Sequence, residues 1–160
     1  MLVLRVPVAE EAAVTAGRQE EVKLVETIPG YGPKTAPTII ACIPEDLRSW
    51  GPKQKVARKL QAYFGCDPKL RESGQWKGRV RMSKRGVELA RTALFQAATC
   101  ALLHDPDMKA VYDRKLAEGK FYLVCISHVM RLMLRRLVAV LYDRKPFARI
   151  NSLQPQLAQK

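Results

Sequence analysis

The chain has 160 residues, about one domain at the usual 100 to 200 residues each, which argues against an elaborate multi-domain enzyme. Its 48% apolar content is enough for an ordinary buried core. Twenty-eight Lys and Arg against fifteen Asp and Glu leave a net charge of +13, which points to a polyanionic partner, nucleic acid or an acidic membrane face.

The opening Met1–Val8 is apolar, but Arg5 and Pro7 interrupt it and Glu10 and Glu11 follow, so it is too short for a signal-peptide core. Residues 1–17 are therefore expected to be a loose N-terminal segment. From there the apolar periodicity is helical almost throughout, with no sustained two-residue alternation after residue 8. It predicts helices over 18–28, 33–43, 52–64, 84–104, 106–118 and 120–142. Pro29 with Gly30 and Gly32, Pro44, Gly51 with Pro52, Gly65 with Pro68, Asp105 with Pro106, and Gly119 punctuate them. The expected fold is all-α: a helix-hairpin-helix, then a basic loop, then a bundle of long helices. It occupies 18–148 as one domain, with 149–160 as a flexible tail.

The apolar run Phe121–Tyr142 approaches the length of about 20 residues that a membrane crossing needs. Arg131, Arg135 and Arg136 fall in its middle, each costing roughly 2.5–3.5 kcal/mol at a bilayer centre, so no membrane association is expected. His128, Arg131 and Arg135 recur on one helical face, and Leu123, Ile126, Met130, Leu134 and Leu137 on another. The segment reads as an amphipathic helix with a basic edge and a half-buried His128. The cysteines at 42, 66, 100 and 125 are far apart, with no C-x-x-C and no His pair, so no metal knuckle is expected. Scattered thiols fit a reducing cytoplasm.

Residues 47–91 carry thirteen basic and three acidic groups, so ten of the thirteen net charges sit there. The turn Thr27–Ala36 places Gly30 and Gly32 before a helix. Its backbone amides and dipole, with Lys34 and Thr35 beside them, suit a phosphate grip that reads no base. A Cβ at Gly30 is expected to obstruct that grip. Lys53, Lys55, Arg58 and Lys59, then Lys69, Arg71, Lys77, Arg79, Arg81, Lys84 and Arg85, are placed to neutralise several phosphates, and Tyr63 and Trp76 offer rings for stacking. Within the long polar stretch between Gly65 and Lys84, Ser73 has cations nearby but no evident base except the adjacent Glu72. On residue chemistry alone it is a weak nucleophile candidate, and Ser83 reads as the N-cap of the next helix.

The ordered set Ile28–Ala36, Tyr63-Phe64-Gly65-Cys66-Asp67-Pro68, Glu72-Ser73-Gly74 and Arg81-Met82-Ser83-Lys84-Arg85-Gly86 with Arg91, Ala93 and Leu94 resembles the C-terminal transposase domain of the insertion sequence 110/116/902 family. Tyr112, Leu116, Gly119-Lys120 and Pro146-Phe147 extend the resemblance over roughly residues 20–148. Ala90 and Thr92 depart from the Leu and Arg that the family tends to carry.

The resemblance implies a serine recombinase directed by a structured bridge RNA and working on DNA in a homo-oligomeric assembly. Ser73 is then the nucleophile that links covalently to DNA phosphate, and Ser83 anchors the loop. It also implies a RuvC-like domain whose four carboxylates hold divalent metal such as Mg. This chain has no room for that domain, so it is expected to be a truncated piece that binds no cofactor, binds nucleic acid, and does not complete strand exchange alone. A cytoplasmic, nucleoid-associated location in a bacterium or archaeon follows. The alternative is a non-catalytic helix-hairpin-helix module, either a transposon remnant or an accessory factor. Charge alone leaves open an RNA-binding structural protein.

Overall fold

The computed structural model describes residues 16–69, 72–73, 76–77 and 81–148, and for 68, 69, 72, 73, 76, 77 and 81 the backbone only. The expected loose start and tail lie almost wholly outside these residues. Among the described residues six α-helices span α1 Gln19–Glu26, α2 Thr35–Cys42, α3 Lys53–Tyr63, α4 Glu88–His104, α5 Pro106–Ala117 and α6 Tyr122–Asp143, with a 3-10 turn at Arg48–Trp50. Strands β1 Pro68–Lys69, β2 Glu72–Ser73, β3 Trp76–Lys77 and β4 Arg81–Met82 are two residues each. The architecture is all-α, as the periodicity predicts.

Local chemistry sets the helix ends. Ile43 precedes Pro44 and adopts the extended conformation that a following proline imposes, which stops α2 at Cys42. Arg18, the residue before α1, donates from its guanidinium to the carbonyls of Ile40 at 2.8 Å and Ile43 at 2.6 Å, closing the end of α2. Its Nε holds Glu21 at 2.7 Å, so one side chain staples α1 to α2. Asp105 accepts from the Asp107 amide at 3.0 Å and precedes Pro106 at the first helical position, so α5 starts with a side-chain cap and a residue that needs no amide partner.

Helices α4 and α6 pack against each other in the centre. α2 and α5 also lie on α4, and α1, α3 and α5 on α6. α4 presents Ala90, Ala93, Ala97, Ala98 and Ala101 to the interior, side chains small enough for neighbouring backbones to approach closely. α6 supplies the bulk, with Ile126, Met130, Met133, Leu134 and Leu137 fully buried, and Ile39, Ile40, Val56, Leu60 and Phe64 complete the core. Of the expected apolar face of α6, Leu123 alone is misplaced. It is exposed with Phe121, Tyr122 and Val124 at the start of α6. Ala90 is buried and Thr92 exposed, so the first departure from the family pattern is a packing position and the second a surface one.

Two further expectations change. The helix predicted from 84 begins at Glu88, because Lys84 at φ 54° and Gly86 at φ 133° lie in a backbone region that a right-handed helix cannot use. Ser83 is therefore no N-cap; its hydroxyl donates to the Asp67 carboxylate. The polar stretch after Gly65 is also not a plain loop, since it carries both antiparallel ladders.

Candidate nucleic-acid interface

The two ladders are nested. Pro68 pairs with Met82 and Lys69 with Arg81, while inside them Glu72 pairs with Lys77 and Ser73 with Trp76. The second ladder thus lies inside the first in sequence, with Ser73 and Trp76 as the innermost paired residues among those described.

The base of the hairpin is clamped to the helical core. Ser83 donates its amide to the Asp67 carbonyl at 2.9 Å, Lys84 to Gly65 at 3.0 Å and Val87 to Tyr63 at 3.2 Å. Gly65 at φ 67° and Gly86 at φ 133° make this possible, because a Cβ on Gly65 would overlap the Arg85 backbone and one on Gly86 would overlap the Tyr63 carbonyl oxygen. Arg91 on α4 donates to the Phe64 carbonyl at 3.2 Å and Gln61 on α3 to Cys66 at 3.1 Å, so both flanking helices grip the same joint. Cys66 is buried in it, and burial pushes its thiol up to about 11 against an opposing pull from Arg91. From sequence, Gly65 reads as a helix stop and motif residue, and Gly86 only as part of a motif. Their pairing is a contact between segments that no local pattern reveals.

Of the basic residues singled out from sequence, Lys84 and Arg85 are exposed at the mouth of this clasp. Lys69, Lys77 and Arg81 lie on the hairpin strands, where the backbone alone is described. Arg71 and Arg79 lie outside the described residues, and nothing is described of the Ser73 and Trp76 side chains. Lys55, Arg58 and Lys59 are exposed on α3, with Lys59 donating to the Trp50 carbonyl at 2.7 Å, while Lys53 pairs with Asp143.

The α1–α2 joint is a tight turn held from within. Tyr31 donates its amide to the Ile28 carbonyl at 3.1 Å, Gly32 to the Thr35 hydroxyl at 2.9 Å, and Ala36 to the Gly32 carbonyl at 2.9 Å. The amides of Lys34 and Thr35 have no intramolecular acceptor among the described residues, and the Lys34 side chain is exposed beside them. Thr35 therefore fixes the turn through its hydroxyl and presents its amide outward.

Gly30 has a different reason to be glycine from the one expected. At φ 104°, a Cβ there would sit 2.6 Å from the Ala97 carbonyl oxygen and 2.7 Å from the Ala101 Cβ, so the close approach is to α4, not to a phosphate. Gly32 has open space around it and no positive φ. Gly30→Ala is thus expected to cost roughly 2 kcal/mol of stability through a strained φ and overlap with α4. Gly32→Ala should leave the thermal midpoint unchanged; paired melts followed by circular dichroism check both.

Among the described residues no three His, Cys, Asp or Glu side chains gather where they could hold a metal ion, and no helix is long and apolar enough to cross a membrane. No disulfide joins the four cysteines, of which Cys66 and Cys125 are buried.

Residues 22–113 match the family described as Transposase IS116/IS110/IS902 family. The 42 kDa protein of insertion element IS900 from Mycobacterium paratuberculosis is 25% identical over 126 residues, which cover 79% of this chain and 31% of that protein. The transposase for insertion sequence element IS1111A of Coxiella burnetii is 30% identical over 114 residues, covering 69% of this chain and 30% of that protein. The 43.6 kDa protein of insertion element IS110 from Streptomyces coelicolor is 25% identical over 120 residues, covering 75% and 28% respectively. The chain thus spans about a third of the length of these relatives.

Proposed function

Because the chain belongs to the IS116/IS110/IS902 transposase family, we propose that it is the DNA-handling domain of an insertion-sequence transposase, with Ser73 as the nucleophile. In this reading the Ser73 oxygen attacks a DNA phosphorus. A serine–phosphate bond forms, the bond to one deoxyribose oxygen breaks, and the hydroxyl proton passes to a base, for which Glu72 is the nearest carboxylate in sequence. Lys69, Arg71, Lys77, Arg79, Arg81, Lys84 and Arg85 offset the charge that builds on the phosphoryl oxygens. A helix-hairpin-helix grip at Gly30–Thr35 holds the backbone nearby. The open amides of Lys34 and Thr35 and the Lys34 ammonium make that contact, with Gly30 and Gly32 shaping the turn.

The observation that carries the reading is the nested hairpin. The Ser73 backbone holds the innermost paired position of the two ladders, and the segment that bears them is held at its base to α3 and α4, inside the stretch that matches the family. A nucleophile needs a fixed approach, and a clamped arm supplies one where a free loop does not. A structured guide RNA, a homo-oligomer and a separate carboxylate domain holding Mg belong to the same reading. No chemical step is routed through a metal on this chain.

Covalent trapping tests the assignment. A duplex carrying the element's ends is incubated with the transposase containing this domain and resolved on a denaturing gel. Wild type is expected to give a protein–DNA adduct that Ser73→Ala abolishes, while gel-shift affinity for the same duplex stays unchanged. An adduct that survives Ser73→Ala sinks the assignment of Ser73, and no adduct from wild type leaves a non-catalytic binding module.

A further inference from the structure

The basic turn of α3 and the basic edge of α6 are far apart in sequence, yet they form the two walls of one groove. It has a volume of about 810 Å3 and is lined by Lys53, Lys55, Arg58, Arg131 and Arg135, with Ala57 and Val138 among the apolar residues that complete the lining. No carboxylate lines it. Only Lys53 has a counter-charge, in Asp143; among the described residues Lys55, Arg58, Arg131 and Arg135 make no ion pair. We propose that this groove is a second nucleic-acid site, which takes the phosphate backbone of duplex DNA and is separate from both the serine-bearing hairpin and the Gly32–Thr35 turn. The proposal rests on the DNA-handling reading above.

Three features favour this occupant. Four cations without counter-charge facing one cleft repel each other, and an anion with regularly spaced charge relieves that repulsion. Arg131 and Arg135 stand one helical turn apart, about 5–6 Å at Cβ, and their guanidinium forks match phosphate oxygens. The lining carries no aromatic ring, so unpaired bases find nothing to stack on, whereas the outer backbone of a duplex needs only donors and charge. The groove is also joined to the arm that bears Ser73, because Gln61 in its lining donates to the Cys66 carbonyl at the hairpin base. DNA lying along α3 is thereby delivered toward the hairpin.

The test is fluorescence anisotropy with a mixed-sequence DNA duplex at several salt concentrations, comparing wild type, Lys34→Gln, and the triple variant Arg58→Gln/Arg131→Gln/Arg135→Gln. All three arginines are exposed, and circular dichroism melts verify that the triple variant folds. It is expected to bind roughly tenfold more weakly, with the slope of log affinity against log salt shallower by about 2–3, one unit for each phosphate no longer neutralised. Lys34→Gln should reduce the slope by about 1, and its effect should add to that of the triple variant, as for independent sites. A triple variant with wild-type affinity and slope, while Lys34→Gln still weakens binding, overturns the groove and leaves the DNA-handling reading standing. No duplex binding by wild type overturns that reading itself. A loss confined to a folded RNA hairpin of equal charge also overturns the duplex proposal, in favour of RNA.

Discussion

Replacing Arg136 with alanine is expected to lower the unfolding free energy by about 3–5 kcal/mol, the usual consequence of removing one partner of a buried ion pair. Asp105 is 1% exposed and caps α5. The Arg136 guanidinium holds the Asp105 carboxylate, reaches Asp107 at 3.2 Å, and lies over the Phe147 ring at 4.7 Å. One side chain of α6 thus ties down the start of α5 and the segment after α6 together. Arg136→Lys is expected to lose clearly less, since its ammonium still answers the Asp105 charge but has neither the fork for two carboxylates nor the flat face for the ring. Arg136→Met combined with Asp105→Asn should recover a large part of it, because asparagine still caps the helix and no buried charge remains. Urea unfolding of the four proteins checks the pattern. Equal stability of Arg136→Ala and the double variant would show that poorer packing, not stranded charge, is the cause.

Much of this fold is legible locally, because glycine and proline act on their own neighbourhood. Pro44, Gly51 with Pro52, Asp105 with Pro106, and Gly119 mark helix boundaries within one to three residues of where they fall. The stripe Ile126, Met130, Leu134 and Leu137 follows from periodicity alone, and so does the exposed basic edge of Arg131 and Arg135. What escapes is whatever depends on a contact distant in sequence. Arg136 sits beside Arg135 in the chain, and nothing local says that it turns inward to Asp105. Gly30 is required by Ala97 and Ala101, although its neighbours in sequence suggest a phosphate. The hairpin is illegible for a further reason: its ladders are two residues long, too short for alternation to register, and they are sustained by a clasp built from positive-φ glycines on either side of them. Ser73 shows the same division. Its chemistry reads weakly from neighbouring residues and the family resemblance raises it, while the structure gives only its backbone pairing with Trp76.

That clasp makes Gly86 the position where the smallest change should do the most to the proposed site. At φ 133°, an added Cβ meets the Tyr63 carbonyl oxygen and comes within 3.0 Å of the Gly65 amide nitrogen, backbone atoms that cannot swing aside. Gly86→Ala is therefore expected to cost about 3 kcal/mol or more and to discharge it locally, by opening the joint instead of melting the bundle. The control is Gly119→Ala: φ there is 74° but nothing lies within 4 Å of the new atom, so only backbone strain of about 1 kcal/mol remains. Cys66 provides the readout. It lies inside the clasp at 8% exposure with its thiol pushed up to about 11 by burial, whereas Cys100 is exposed on α4. In Gly86→Ala, alkylation at neutral pH should reach Cys66 far faster than in wild type while Cys100 reacts at its usual rate and helical circular dichroism persists. Adduct formation through Ser73 should fall in parallel, since the arm then lacks a fixed base. If Cys66 opens and the adduct still forms at the wild-type rate, the clamped hairpin is not what positions the nucleophile, and Ser73 is left without structural support for that role.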